Sequence, residues 1–205
     1  MEVLFATKNP AKIKYYAEEL KKEKIQVCTL SDQHVDCKVE ETGENAIENA
    51  KIKAKAYYEQ TKMKTIAIDD TLYLEGVSKE DQPGAKVRRI KGKELTDEEM
   101  LTYYTALVHK YGGKVQAKWV KGVAIYDGKE FQTHQVEGSN FYLVETISNV
   151  RHEGYPLDSI TILPELNQYL SETKKEDYER TRKGSSSKQI LDFLKEGLSE
   201  NEEKK

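Results

Sequence analysis

No stretch of this chain approaches the roughly 18 consecutive apolar residues that a membrane-spanning helix needs, and mean hydropathy is −0.78. The opening "MEVLFATKNPAK" has too short an apolar run, and no small-residue cleavage site, for a secretory leader, so a cytoplasmic protein without membrane partners is expected. Cysteine is scarce: Cys28 and Cys37 lie nine apart, outside any CxxC pattern and away from paired histidines. That argues against a disulfide framework and a zinc site and leaves two reduced thiols. Surplus charge is also lacking. Lys and Arg number 33 against 36 Asp and Glu, so a net charge of −3 supplies no field to draw the chain onto nucleic acid, and an anionic ligand must be held by a local basic cluster.

What is present is an interleaving of strand and helix patterns. "EVLFAT" (2–7) reads as a short apolar strand and "NPAKIKYYAEELKKEK" (9–24) as a helix, with Ile13, Tyr16, Ala17 and Leu20 at helical spacing and Pro10 suited to a first turn. "IQVCTL" (25–30) reads as a second strand and 45–60 as a second helix, with Ala46, Ala50, Ala54 and Tyr57 or Tyr58 repeating every three to four residues. "TIAI" (65–68) is strand and 76–95 an exposed loop. Residues 96–112 form a helix opened by a Thr96/Glu99 capping box. An antiparallel ribbon turns at Asp127-Gly128, a loop at 155–165 leads to another strand, and an amphipathic helix spans 185–198. These elements predict an α/β fold on a mixed, partly antiparallel sheet, as a single domain over 1–198 with a frayed charged tail at 199–205.

Three clusters carry possible chemistry. Thr7, Asn9 and Lys12 lie on the first strand-to-helix turn, where free backbone N–H groups, polar side chains and a lysine suit a phosphate; Asn9 is equally a helix cap and Lys12 a surface residue. Glu40 and Glu41 precede the second helix, on which Asn49 and Lys53, four apart, share a face. Asp69 and Asp70 stand side by side at a strand end. Alternation sends them to opposite faces, so at least one points inward and needs a cation, a metal or hydrogen-bond donors. Magnesium takes hard oxygen ligands of this kind, one or two carboxylates completed by water and phosphate.

In order, "FATKNPAK", "EETGENAIENAKIKAKA", "AIDDTLYLEG" and "QPGAKVRR" resemble the inosine triphosphate pyrophosphatase family, which hydrolyses non-standard purine nucleoside triphosphates. The resemblance covers most of the chain. It implies an elongated two-lobed α/β fold with the active-site cleft between the lobes, a homodimer, and Mg2+ as cofactor. Thr7, Asn9 and Lys12 would hold the triphosphate with Asn49, Lys53 and Thr71; Glu40, or Glu41 if the register differs by one, would bind the metal with Asp70; and Asp70, aided by Lys53, would take the proton of the attacking water. Water would attack the α-phosphorus of ITP, dITP or XTP and release the monophosphate and pyrophosphate.

The C-terminal half departs from the family pattern. Asp158 matches, but Leu157 stands where an aromatic packs against the base, and Ser159 replaces a proline. Thr181, Arg182, Lys183 and Gly184 replace a Ser-His-Arg-Gly run, Asp177 replaces a lysine, and Val87 and Arg88 precede Arg89 in place of small residues. Arg89, Tyr155, Asp158, Arg182 and Lys183 are assigned to substrate binding, with Arg182 suited to a keto oxygen of the base and Tyr155 to the missing ring. The altered base-reading segments keep open a second reading, a nucleotide-binding or sensing protein that does not hydrolyse its ligand.

Overall fold

A computed structural model describes residues 1–181 and 186–199. Eight strands form one mixed sheet in the order β10-β9-β8-β6-β3-β1-β2, with β7 (Phe131–Glu137) paired to β6 (Lys114–Tyr126). The first strand β1 (Glu2–Phe5) runs parallel to β2 (Gln26–Thr29) and to β3 (Thr65–Leu74), with Phe5 opposite both Thr29 and Ile66. Strands β6, β8 (Phe141–Val144), β9 (Thr161–Leu163) and β10 (Gln168–Tyr169) are antiparallel in succession. The mixed α/β class expected from the alternating patterns is the one observed.

The chain divides into two compact units. The first comprises residues 1–70, 120–136 and the C-terminal segment from 186. Its sheet carries a core on each face, because strand alternation sorts the side chains. Val3, Phe5, Ile66, Ile68, Val123 and Ile125 meet Tyr16 and Leu20 of α1 (Pro10–Lys22) and Ile190, Leu191, Leu194 and Leu198 of α5 (Ser186–Ser199). Leu4, Ala6, Ala67, Ala124 and Tyr126 turn the other way, onto Ala50, Ala54 and Tyr57 of α2 (Ala46–Thr61). Each large aliphatic side chain so buried contributes about 1.5–3 kcal/mol. The alanine face of α2 lets the helix lie close, and Gly122 on β6 lets it closer still: a Cβ there would lie 2.4 Å from the Ala46 carbonyl carbon.

The second unit comprises, among the described residues, 71–119 and 137–181. Its core gathers Leu72, Leu74, Val115, Phe141 and Leu143 against Met100, Leu101, Tyr104 and Val108 of α3 (Asp97–Lys110). The Thr96/Glu99 capping box forms as expected.

Three local expectations are corrected. The strand expected to stop at Ile68 continues to Leu74, because Thr71, Leu72 and Leu74 are buried and Leu72 is bridged to Gly84. The aspartates are therefore inside a strand rather than at its end. The loop expected at 76–95 holds a small hairpin, β4 (Arg89–Ile90) and β5 (Lys93–Glu94), whose Lys91-Gly92 turn has φ of 48° and 81°, the left-handed pair a two-residue turn requires. The polar stretch after β10 contains a short helix, α4 (Lys175–Thr181), with no buried residue and so no apolar period to read. Beyond Ser199 the expected tail lies outside the described residues.

Candidate active site

Continuation of β3 through both aspartates sets the site. Ile66 and Ile68 face α1 and α5, so Asp70 follows them; Ala67 faces α2, so Asp69 follows it. Each acid meets lysines on its own side. Asp70 Oδ2 accepts from Lys12 Nζ of α1 at 2.6 Å, and its Oδ1 from Lys121 Nζ of β6 at 2.8 Å. Asp69 Oδ1 accepts from Lys53 Nζ of α2 at 2.6 Å, and its Oδ2 from Asn49 Nδ2 at 3.2 Å.

The turns that present these side chains are locally determined. Thr7 Oγ1 accepts the Asn9 N–H at 3.1 Å and Asn9 Oδ1 accepts the Lys12 N–H at 3.2 Å, so Asn9 does cap α1. No acidic residue lies in the first turn of α1, which leaves its positive end to an outside anion. Asn45 caps α2, its side chain accepting the Glu48 N–H at 2.9 Å. One turn later Asn49 Oδ1 accepts the Gly43 N–H at 2.8 Å and so ties the "EETG" segment to the helix. That tie brings Glu41 to 3.3 Å from Lys53 Nζ. Glu40 is exposed and forms no hydrogen bond or ion pair among the described residues.

The two clusters differ in charge. Around Asp70 two ammonium groups surround one carboxylate; around Lys53 two carboxylates surround one ammonium. Burial alone would raise the Asp70 pKa, but Lys12 and Lys121 outweigh it and hold the carboxyl well below the usual range. At Asp69 burial wins: its pKa lies above the ordinary value, with Lys53 opposing and the Glu41 charge adding to the rise. Burial works against charging Lys53, yet Asp69 and Glu41 overcome it and raise its pKa.

The remaining described residues predicted from the sequence belong to the second unit. Thr71 is fully buried, and its hydroxyl has no hydrogen-bond partner among the described residues. Arg89 is half-buried in β4, and Tyr155 is 44% exposed. Asp158 lies 3.3 Å from His152 Nδ1; burial raises its pKa against the pull of that imidazole. Leu157, which stands where the family pattern has an aromatic, is buried with Ile160 in this unit's core. Arg88 forms the contacts on this loop: Nη1 donates to Asp97 Oδ1 at 2.8 Å and to the Leu95 carbonyl at 3.0 Å, while Asp97 Oδ2 accepts the Gly154 N–H at 2.7 Å. Arg182 and Lys183 fall outside the described residues.

Thr7, Asn9, Lys12 and Asp70 thus converge on one face of β3, and Asn49, Lys53 and Glu41 meet Asp69 on the other. Lys121 is the residue the motifs do not mark. Its signal was present in the alternation of β6, where it shares a face with Val123 and Ile125, an odd place for a lysine without a partner.

Comparison with known proteins identifies the family. A sequence profile of the Ham1 family matches residues 3–190. A dITP/XTP pyrophosphatase of Leptospira interrogans is 30% identical over 196 residues, covering 95% of this chain and 97% of its own. One from Pectobacterium atrosepticum is 27% identical at 95% and 98% coverage. Among solved structures, the Staphylococcus aureus Ham1 protein matches with TM-score 0.75 at 23% identity, over 97% of this chain and 100% of that one. The Coxiella burnetii HAM1 protein matches with TM-score 0.76 at 22% identity, over 96% and 99%. The resemblance read from the motifs is borne out, and the chain belongs to the Ham1 family.

Proposed function

We propose that this chain hydrolyses a nucleoside triphosphate, a non-standard purine such as ITP, dITP or XTP, to the monophosphate and pyrophosphate. The observation that carries this reading is the pairing of Lys12 with Asp70 at 2.6 Å, which joins a phosphate-suited helix start to an acid 58 residues away. The names of the curated relatives, dITP/XTP pyrophosphatases, support the substrate class.

In this reading the first turn of α1, with Thr7, Asn9 and Lys12, holds the phosphates, and Lys53 and Asn49 steady the acids on the other face of β3. Asp70 accepts the proton of the water that attacks the α-phosphorus. Its lysine partners must turn to the phosphates first, since they now hold the carboxylate weakly basic. Arg89, Tyr155, Asp158, Arg182 and Lys183 are assigned to substrate binding.

The carboxylates of Glu41, Asp69 and Asp70 are hard oxygen donors of the kind magnesium takes. Magnesium needs only one or two such carboxylates, its shell completed by water and substrate phosphate. Of the carboxylates assigned to Mg2+, Glu41 shares the Asp69 face of β3 and Asp70 lies on the opposite face, so one ion would take Glu41 with Asp69, or Asp70 with substrate phosphate, and exposed Glu40 is less well placed. The ion would supply charge neutralisation at the phosphoryl oxygens. We extend the reading to a cytoplasmic homodimer; no helix among the described residues is long and apolar enough to cross a membrane.

The test is a panel of ITP, dITP, XTP, ATP and GTP with magnesium, read as pyrophosphate released. Absence of release from every one at micromolar protein overturns the proposal. A non-hydrolysing nucleotide binder draws support from the same ion pairs, because both Asp70 oxygens are taken; metal-dependent release of pyrophosphate excludes it.

A further inference from the structure

Lys12 alone neutralises Asp70. A second ammonium on the same carboxylate is surplus to that task, and it comes from Lys121, in the middle of a strand whose neighbouring positions on that face, Val123 and Ile125, are core. Placing a lysine there costs desolvation of its ammonium head, which charge balance at Asp70 alone does not call for. The degree of burial points to its role. The side chains of Lys53 and Asp69 are 13% and 11% exposed, a nearly sealed pair. Those of Lys12, Lys121 and Asp70 are 23%, 20% and 25% exposed, so solvent reaches this cluster more than the other.

We infer that Lys121 is an additional ligand for the substrate's phosphates, resting on Asp70 in the free protein and transferring to a phosphate oxygen when the polyphosphate arrives. Lys12 and Lys121 hold separate oxygens of one carboxylate, so a phosphate seated on Lys12 is within a side-chain swing of Lys121, whose four-carbon stem is flexible. The exchange keeps the ammonium in a charge-assisted hydrogen bond throughout and trades a singly charged partner for a more highly charged one. The cluster of two cations and one anion also carries the sign that attracts the ligand. This inference rests on the reading that the Asp70 face of β3 is the phosphate end of the site.

The experiment is calorimetric titration of the whole chain with inorganic pyrophosphate in the presence of a chelator, so that neither turnover nor metal enters the measurement. Lys121→Met should weaken pyrophosphate binding about tenfold, the loss of one charge-assisted hydrogen bond. Lys121→Arg should restore most of it, and Lys118→Met, three residues away and paired with Glu137, should leave it unchanged. Lys121→Gln provides the same reading if the methionine variant fails to fold. A merely structural lysine would lower the melting temperature without moving pyrophosphate affinity. Equal affinity of wild type and folded Lys121 variants, or no binding to wild type, overturns the inference. A chain that binds pyrophosphate through Lys121 yet releases none from any nucleotide upholds it while removing the enzyme reading.

Discussion

Lys53 Nζ on α2 lies 2.6 Å from Asp69 Oδ1 on β3, and both side chains are almost withdrawn from water. Removing one partner leaves the other charge buried and uncompensated. Lys53→Met should therefore destabilise the chain by about 3 kcal/mol, and adding Asp69→Asn should recover part of that loss. Urea unfolding of the two variants decides it; a double variant no more stable than Lys53→Met contradicts the pairing.

Asp70→Asn keeps the shape of the side chain but cannot take a proton. Turnover of the preferred triphosphate should fall by about a thousandfold while the far-ultraviolet circular dichroism and cooperative melting stay native-like. Normal turnover removes Asp70 from the role of base.

Asp97 ties two loops of the second unit through Arg88 and the Gly154 N–H. Burial opposes its charge, but these donors outweigh it and hold its pKa below the ordinary value. A folded-state pKa below the unfolded one gives stability that is present above about pH 4 and lost as the pH falls through the folded value. Because the side chain is a third exposed, Asp97→Asn should cost only about 1 kcal/mol at pH 7, and the difference should shrink towards pH 3. Melting curves at the two pH values check this, and an undiminished difference at pH 3 speaks against it.

Gly122 faces the start of α2, where an added methyl would stand 2.4 Å from both the Ala46 carbonyl carbon and the Ile47 nitrogen. Gly122→Ala must push backbone aside and should destabilise by about 1–3 kcal/mol. Wild-type stability in that variant would mean the helix does not approach β6 this closely.

Burial pushes the Cys28 thiol up to about 11, with Glu2 adding to the rise. Iodoacetamide at pH 8 should alkylate the half-buried Cys37 well before Cys28 in the folded chain. Mass spectrometry of peptides after brief exposure reads the order directly, and preferential labelling of Cys28 refutes it.

Much of the fold was legible because alternation and helical spacing are local. The strands at Leu4 and Val27, the helix through Ala50 and Ala54 and the Thr96 cap all announce themselves within a few residues. The continuation of β3 was not, since two adjacent carboxylates read as a strand end until Lys12, Lys53 and Lys121 are known to neutralise them. Those partners are 58, 16 and 51 residues distant, and no local pattern reports them. For the same reason the motifs located Lys12, in the first turn of α1, and Lys53, about two turns into α2, but passed over Lys121, which lies alone on a strand. Glu41 rather than Glu40 meets Lys53, a choice set by the Asn49 link to Gly43 and not by either glutamate's own neighbourhood.

Strand β3 lies between β1 and β6 in the sheet order, so the two aspartates are mounted on a hydrogen-bonded strand and not on a loop. Chemistry mounted there is tied to the stability of the sheet rather than to the fast fluctuation of a loop. Heat should accordingly extinguish ligand binding and secondary structure at one temperature, with no interval in which the chain is still folded but its paired acids have lost their places.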